Sequence, residues 1–475
     1  MEVFMKQRSQ WILLMATSSV SFMSTLDASI VNIAIPHISR ELNVPMNEAE
    51  WVVSVYLVLI CVLLIFFGRL SDQIGRIPVF QVGTLVFITG SLFCGLSTNL
   101  PLLLGARALQ ALGSSMVMAT NFGIITQIFP SNQHGRALGL NSSVVQIGNI
   151  AGPGLGGLIL SVVSWHWIFF INVPIGIIAF LFGHRIFPHQ QIHFDKIVVD
   201  WPGYATFATM ISAFFIAIYW GQAIGFHSAG VLSLFGLAIV MLAAFTLIER
   251  RVQQPLIQLK IFANRGFSLG IISAMLVYMT GFFNNVIMPF YLQETLMLSS
   301  ATAGLILMAV PLLNIFSAPA GGIISDHIGA ERVSFFALFL FLIPELIFIF
   351  VQPTWSLAWL VFGLAFFGIA NGTFQNNPMI MGNAGPEFQG IAGSIAALGR
   401  NLGMAIGLSL ATSLLYSGIS QRAGHHMTAY PHGHASWFVY GMHFSYLFAL
   451  GLIVIAIGLL GWLLWSRKKA LPSHN

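Results

Sequence analysis

The sequence predicts an all-α membrane protein of fourteen transmembrane helices. They form two six-helix bundles related by a pseudo-two-fold repeat, with a two-helix insert between them. Three observations predict this. Of 475 residues, 57% are hydrophobic and only 7% are charged, against about 25% charge in a soluble domain. Long apolar runs recur along the whole chain, separated by short connections that carry Gly, Pro, Asn and Ser. One polar stretch is written twice, as GRLSDQIGRIPV from Gly68 to Val79 and as GIISDHIGAERV from Gly322 to Val333.

A helix needs about 20 mostly apolar residues to cross a ~30 Å hydrocarbon core. Backbone groups in lipid must be paired within their own segment, so such runs are helices. Spans then fall near 11–36, 48–70, 79–98, 101–126, 137–161 and 165–185. Two more fall near 201–220 and 229–248, and six near 267–293, 301–324, 331–351, 355–381, 390–415 and 440–465. The domains follow: a first bundle over 1–190, an insert and linker over 191–265, and a second bundle over 266–475. Lys6 and Arg8 precede the first run without a small-residue cleavage site, which reads as a retained span and not a signal peptide. Cys61 and Cys94 both sit inside apolar runs and are expected to be inert.

Lysine and arginine set the orientation. With the N-terminus in the cytoplasm, fifteen of the nineteen basic residues lie inside, Arg40 and Arg422 lie outside, and Arg107 and Arg400 fall within spans. Both termini are therefore expected in the cytoplasm of a multi-pass protein of the cell membrane. The basic residues are spread over short loops and form no patch, which excludes a nucleic-acid partner.

The repeat extends beyond the doubled polar stretch, whose copies are 254 residues apart. VNIAIP ends at Pro36 and NNVIMP at Pro289; GNIAGPGLGG places Gly148, Gly152 and Gly156 four apart, and GRNLGMAIGL does the same with Gly399, Gly403 and Gly407. Parallel halves around a central site are the architecture of an alternating-access carrier.

Five stretches carry a family resemblance. GRLSDQIGR resembles the loop motif between spans two and three of the major facilitator superfamily. GNIAGPGLGG matches the span-five motif of its antiporters, g-x-x-x-G-P-x-x-G-G, at every position. LDASIVNIAIP (Leu26 to Pro36), RALQALGSS and WHWIFFINVPIG are similar to the motifs of spans one, four and six in its fourteen-span drug/proton antiporters. The chain departs from the pattern at Ala111, where glycine is usual, and at His134 and His166, where arginine is usual. The resemblance implies proton-coupled efflux of hydrophobic, cationic drugs or toxic compounds by a monomer that uses the proton gradient and no bound cofactor. An exporter of one endogenous metabolite or lipid is the alternative.

The candidate residues follow from where polarity is costly. Gly68 and Gly75 allow a turn and a close approach. Asp72 suits a helix N-terminus, expected to be that of the span beginning near Gly390, and Arg76 is its candidate partner. With Asp326 as the mirror contact, these residues form a cytoplasmic latch; the plainer reading is that both aspartates cap local turns. Gly148, Gly152, Gly156 and Gly157 give a face on which another helix can pack closely, and Pro153 removes a backbone hydrogen bond beside it. That face is expected to be a sliding contact between the halves as well as a packing surface.

Charges within the membrane are costly and mark function. Asp27 in span one and Arg107 in span four are the candidate proton-coupling pair, or a structural bridge. Glu345, after Pro344, is a second protonation site or cation contact, or a hydrated residue near the outer interface. Substrate contacts are expected from Asp27, Asn32, Asn284, Asn285, Asn314 and Arg400, on a Phe- and Met-rich wall that suits varied lipophilic guests. His425, His426, His432 and His434 in one outer loop lack an accompanying Cys or acid and read as a solvated loop with no metal site. No Ser–His, metal or acid-pair constellation appears within the spans, so the chain is not read as an enzyme. The two covalent halves favour a carrier over a channel. No G-x-x-x-x-G-K-[ST] stretch is present, which leaves an ion gradient as the energy source.

Overall fold

The structure is a computed structural model that describes residues 7–130, 134–187, 200–252, 255–384, 389–425, 427, 430–431 and 434–470. Its long helices are α1 (Gln7–Glu41), α2 (Trp51–Ile74), α3 (Arg76–Gly95), α4 (Leu100–Ile128), α5 (His134–Val162) and α6 (Asn172–Ile186). They continue with α7 (Trp201–Ile224), α8 (Ala229–Glu249), α9 (Arg265–Phe290), α10 (Ala309–Ile328), α11 (Ala330–Phe350) and α12 (Leu357–Thr373). The last are α13 (Gln389–Ala423) and α14 (Ala435–Ala470). Among the described residues, thirteen helices are long and apolar enough to cross a membrane. The remaining predicted span is α5, whose apolar stretch is Ala151–Val162.

Helix starts lie where side chains can accept from free backbone N–H groups. Asn99 accepts from Leu102 at the start of α4, Asp200 from Gly203 at α7, Ser228 from Val231 at α8, and Asn264 from Gly266 and Phe267 at α9. Pro101 and Pro202 occupy first-turn positions, where a missing N–H costs nothing. α5 continues through Pro153.

The chain divides into two compact units, residues 1–44 with 48–259 and residues 45–47 with 260–475. In the first, α3 packs on α4, α2 on α4, α1 on α5 and α6, and α3 on α6. In the second, the corresponding helices pair in the same way: α11 on α12, α10 on α12, α9 on α13 and α14, and α11 on α14. The insert helices belong to the first unit. They pack on each other, and α7 lies along α2. Trp51 faces Tyr219 at 3.9 Å between ring centres and Phe66 faces Tyr204 at 4.8 Å, so aromatic area fastens the insert to the first bundle.

The doubled polar stretch forms the same corner twice. Gly75 alone joins α2 to α3, with φ 106° and ψ 138°; Gly329 alone joins α10 to α11, with φ 91° and ψ 140°. Each donates its N–H to a serine carbonyl four residues back, Ser71 at 3.0 Å and Ser325 at 2.8 Å. Side chains disfavour this backbone region. An added Cβ at Gly329 would meet nothing within 4 Å, so the cost there is backbone strain alone. Gly329→Ala is expected to lower stability by about 1–3 kcal/mol, read as a drop in unfolding temperature; an unchanged transition would show that the corner tolerates a side chain. Gly68 corrects the expectation. It lies inside α2 and a Cβ there would also meet nothing, so neither the turn nor a close approach rests on it.

Candidate functional site

In the first unit, α1 presents Asp27 and α4 presents Arg107, and both side chains are fully buried. Arg107 Nη1 donates to Asp27 Oδ2 at 2.5 Å. Gln110, one turn beyond Arg107, donates from Nε2 to Asp27 Oδ1 at 2.9 Å and to Ser91 Oγ at 2.7 Å, and accepts from Arg107 Nη1 at 2.5 Å. Asn172 at the start of α6 also donates to Asp27 Oδ1, at 3.0 Å. Arg107 Nε donates to the carbonyl of Val52 on α2 at 2.8 Å, and its guanidinium lies 4.1 Å from the centre of the Tyr56 ring. The Tyr56 hydroxyl donates to Ser114 at 2.8 Å.

Five helices thus close on one ion pair. Charges taken out of water need both a partner and hydrogen bonds on their remaining donors and acceptors. Asp27 has a guanidinium on one oxygen and two amides on the other. A proton on Asp27 would cancel its charge and convert one acceptor into a donor, so at least one of the bonds it accepts from Arg107, Gln110 and Asn172 would have to change.

The glycine face of α5 lies directly on α1. A Cβ added at Gly148 would meet Thr25 Oγ1 at 2.5 Å and the Phe22 carbonyl at 2.8 Å; at Gly152, Ser29 Oγ and the Ile30 N–H; at Gly156, Ile33 and Ile30 side chains at 2.7 and 2.8 Å. Thr25 and Ser29 donate across the contact to the carbonyls of Val145 and Gly148. The packing partner that the structure gives Gly148, Gly152 and Gly156 is α1 of the same unit. Gly157 and Pro153 lie in the same stretch of α5, Gly157 buried. The second unit repeats the contact, with Gly403 and Gly407 against the carbonyls of Met275 and Met279 on α9.

The corner of the first unit is held by Arg76. It pairs with Asp72 at 2.9 Å, as expected, and donates to the Gly123 carbonyl of α4 at 3.0 Å. The Asp72 carboxylate is about half exposed. Asp326 lies on α10, and its side chain is outside those described. His426 and His432 lie outside the described residues.

Glu345 on α11 is completely buried, which overturns the hydrated alternative. Asn284 is also buried and accepts from the Tyr446 hydroxyl at 2.8 Å. The remaining polar candidates are not brought together. Asn32 is buried and bonds back to the Ala28 carbonyl of its own helix at 3.0 Å. Asn285 is exposed, Asn314 is buried on α10, and Arg400 is half-buried on α13.

Sequence reading assigned no role to Gln110, Asn172 or Tyr446, nor to a clasp in the second unit. There Asn264 donates to the Asn383 carbonyl at 2.7 Å, Asn383 to Glu331 at 2.9 Å, and Arg467 to Glu331 at 2.8 Å and to Asn383 at 2.5 Å. The clasp ties the starts of α9 and α11 to the end of α14. The clasp carried no signal in the sequence, because its members are far apart along the chain.

Comparison with known proteins places these features. The family model described as Major Facilitator Superfamily matches residues 17–193 and 270–475, passing over the insert helices. The riboflavin transporter RibZ of Clostridioides difficile (strain 630) is 35% identical over 434 residues, covering 90% of this chain and 92% of that protein. Multidrug resistance protein 3 of Bacillus subtilis (strain 168) is 29% identical over 391 residues, covering 82% and 76%. Among solved structures, a bacterial homolog of the human lysosomal transporter Spinster, in an inward-facing and unoccupied conformation, is similar in fold. Its TM-score is 0.66 at 15% identity, over 96% of this chain and 97% of that one.

Proposed function

Because the chain belongs to the Major Facilitator Superfamily, and so is a transporter and not an enzyme, we propose that it exports hydrophobic, cationic compounds in exchange for protons by alternating access. The Asp27–Arg107 pair carries this reading. It is fully buried, is hydrogen-bonded by the neutral side chains of Gln110 and Asn172, and joins helices whose shared contact changes if Asp27 gains a proton. The cycle then needs two states: an ionised Asp27 locked to Arg107, and a protonated Asp27 that frees Arg107 and loosens α1 from α4. Differential stability of the two arrangements is what lets proton binding bias a conformational equilibrium. Asn285 and Arg400, which are not fully buried, are the candidates to touch a substrate. The protein works as a monomer in the cell membrane with both termini in the cytoplasm, an orientation supported by the lysine and arginine distribution.

The relative named as a riboflavin transporter favours a second reading, transport of one specific metabolite such as a flavin. Purified protein in proteoliposomes under an imposed pH gradient separates the two. Gradient-driven accumulation of ethidium, abolished by a protonophore, supports the first reading. Movement of riboflavin without movement of the cation replaces it with the second. No movement of either under the gradient, with the protein folded and oriented, removes proton exchange.

Asp72 serves in this proposal as the latch, since among the described residues its half-exposed carboxylate is held by an i,i+4 pair, worth about 0.3–0.5 kcal/mol. Asp72→Asn is expected to leave substrate binding intact and to slow turnover at least several-fold. Equal turnover rates in the variant and the native protein would leave Asp72 a local cap.

A further inference from the structure

The second unit holds a buried acid that the Asp27 network does not explain. Glu345 is completely buried on α11, and neither carboxyl oxygen has a hydrogen-bond partner among the described residues. No ion pair reaches it among those residues; Arg76–Asp72, Arg107–Asp27 and Arg467–Glu331 all lie elsewhere. Tyr446 of α14, also fully buried, lies within electrostatic reach of it. The Tyr446 hydroxyl donates to Asn284 Oδ1 of α9 at 2.8 Å, and Asn284 Nδ2 has no acceptor among the described residues. The ring of Phe348, one turn beyond Glu345, packs on Tyr446 at 5.0 Å between centres.

Three helices therefore bring together a carboxyl without a partner, a phenol, and an amide with a spare donor, among aromatic rings. An ionised carboxylate there would be unpaired and without hydrogen bonds, a cost of several kcal/mol even after relaxation. A neutral acid avoids most of that cost. The Tyr446 O–H and the spare Asn284 Nδ2–H are the donors on the neighbouring helices that a carboxylate would call on once the proton has left. Pro344 immediately precedes Glu345 and leaves the helix one backbone hydrogen bond short at that level, a place where a small shift of α11 is inexpensive.

We propose that Glu345, Tyr446 and Asn284 form a proton-binding site of the second unit: Glu345 carries the proton while the site is closed, and Tyr446 and Asn284 hold the carboxylate when water has taken it. Glu345 is the proton-binding group; the other two are positioning residues. The site's contribution to export rests on the proton-exchange reading above, whereas its protonation does not.

The test uses the full-length protein in lipid and needs no transported substrate, so it holds or fails apart from that reading. Infrared difference spectra across pH are expected to show the carbonyl band of a protonated carboxylic acid that vanishes at high pH. Glu345→Gln should lose that band and Asp27→Asn should keep it. Tyr446→Phe should move its midpoint by about one pH unit, the worth of one hydrogen bond to a charged group. In the native protein, a hydrophobic carbodiimide should label Glu345, faster at low pH, which mass spectrometry locates even if Glu345→Gln folds poorly. A band that persists at every pH at which the protein is folded makes Glu345 a fixed structural acid and overturns the proposal. So does a Glu345→Gln spectrum identical to the native one, or a Tyr446→Phe midpoint that does not move.

Discussion

Asp27→Asn is expected to abolish transport driven by a pH gradient and to destabilise the protein at the same time. The substitution is nearly isosteric, yet it changes the chemistry of every bond in the network. Asp27 accepts from Arg107, Gln110 and Asn172. An amide offers a single acceptor oxygen, so its NH₂ group must face one of these donors. Arg107, fully buried, is then a cation without a counter-charge. Breaking one side of a buried pair costs about 3–5 kcal/mol, measurable as a lower unfolding midpoint in detergent. The double variant Asp27→Asn, Arg107→Gln is expected to recover much of that stability, because both charges leave together, and still to show no gradient-driven transport. Full gradient-driven accumulation by either variant would move proton coupling away from this pair.

Gly152→Leu is expected to have a comparably large effect for a different reason. The smallest side chain at 152 already meets Ser29 and the backbone of Ile30. α1 and α5 would have to separate along their length, and Asp27 lies on α1 between Thr25 and Ser29, the two residues in that contact. Overpacking of a close contact costs about 1–3 kcal/mol, occasionally more, and here the Ile30 backbone stands behind the short Ser29 side chain. The variant should lose its sharp unfolding transition and its transport together. Gly156→Ala, which meets γ carbons of Ile30 and Ile33 and approaches the Ile30 carbonyl only to 3.4 Å, should fold with a smaller loss. A stable Gly152→Leu protein with native transport would show that α1 and α5 need not be this close.

The two variants separate what the sequence made legible from what it did not. Helix number and the duplication were readable, since both rest on local pattern: apolar length, and glycines and prolines echoed at a nearly constant offset. The Asp27–Arg107 pair was readable because charges are scarce within the spans and must find each other. Gln110 and Asn172 were not, since a neutral amide in a span has the same local signature whether it bonds across helices or, like Asn32, to its own backbone. The glycine face of α5 was visible as a face, but spacing along one helix does not name the helix opposite. Gly68 was misjudged for a related reason. A glycine before a polar turn resembles the turn itself, while the positive φ falls seven residues later, at Gly75.

The single-glycine corners have a mechanical consequence. A loop of several residues between two helices acts as a spring and absorbs much of any displacement. Gly75 ends α2 and begins α3, and Gly329 does the same for α10 and α11, so neither corner has slack. In the first unit the joint is also pinned by Arg76 to α4. A tilt of α2 or α10 therefore has only the two dihedrals of one glycine to absorb it before it reaches the next helix. Each corner concentrates the compliance of its helix pair at a single residue.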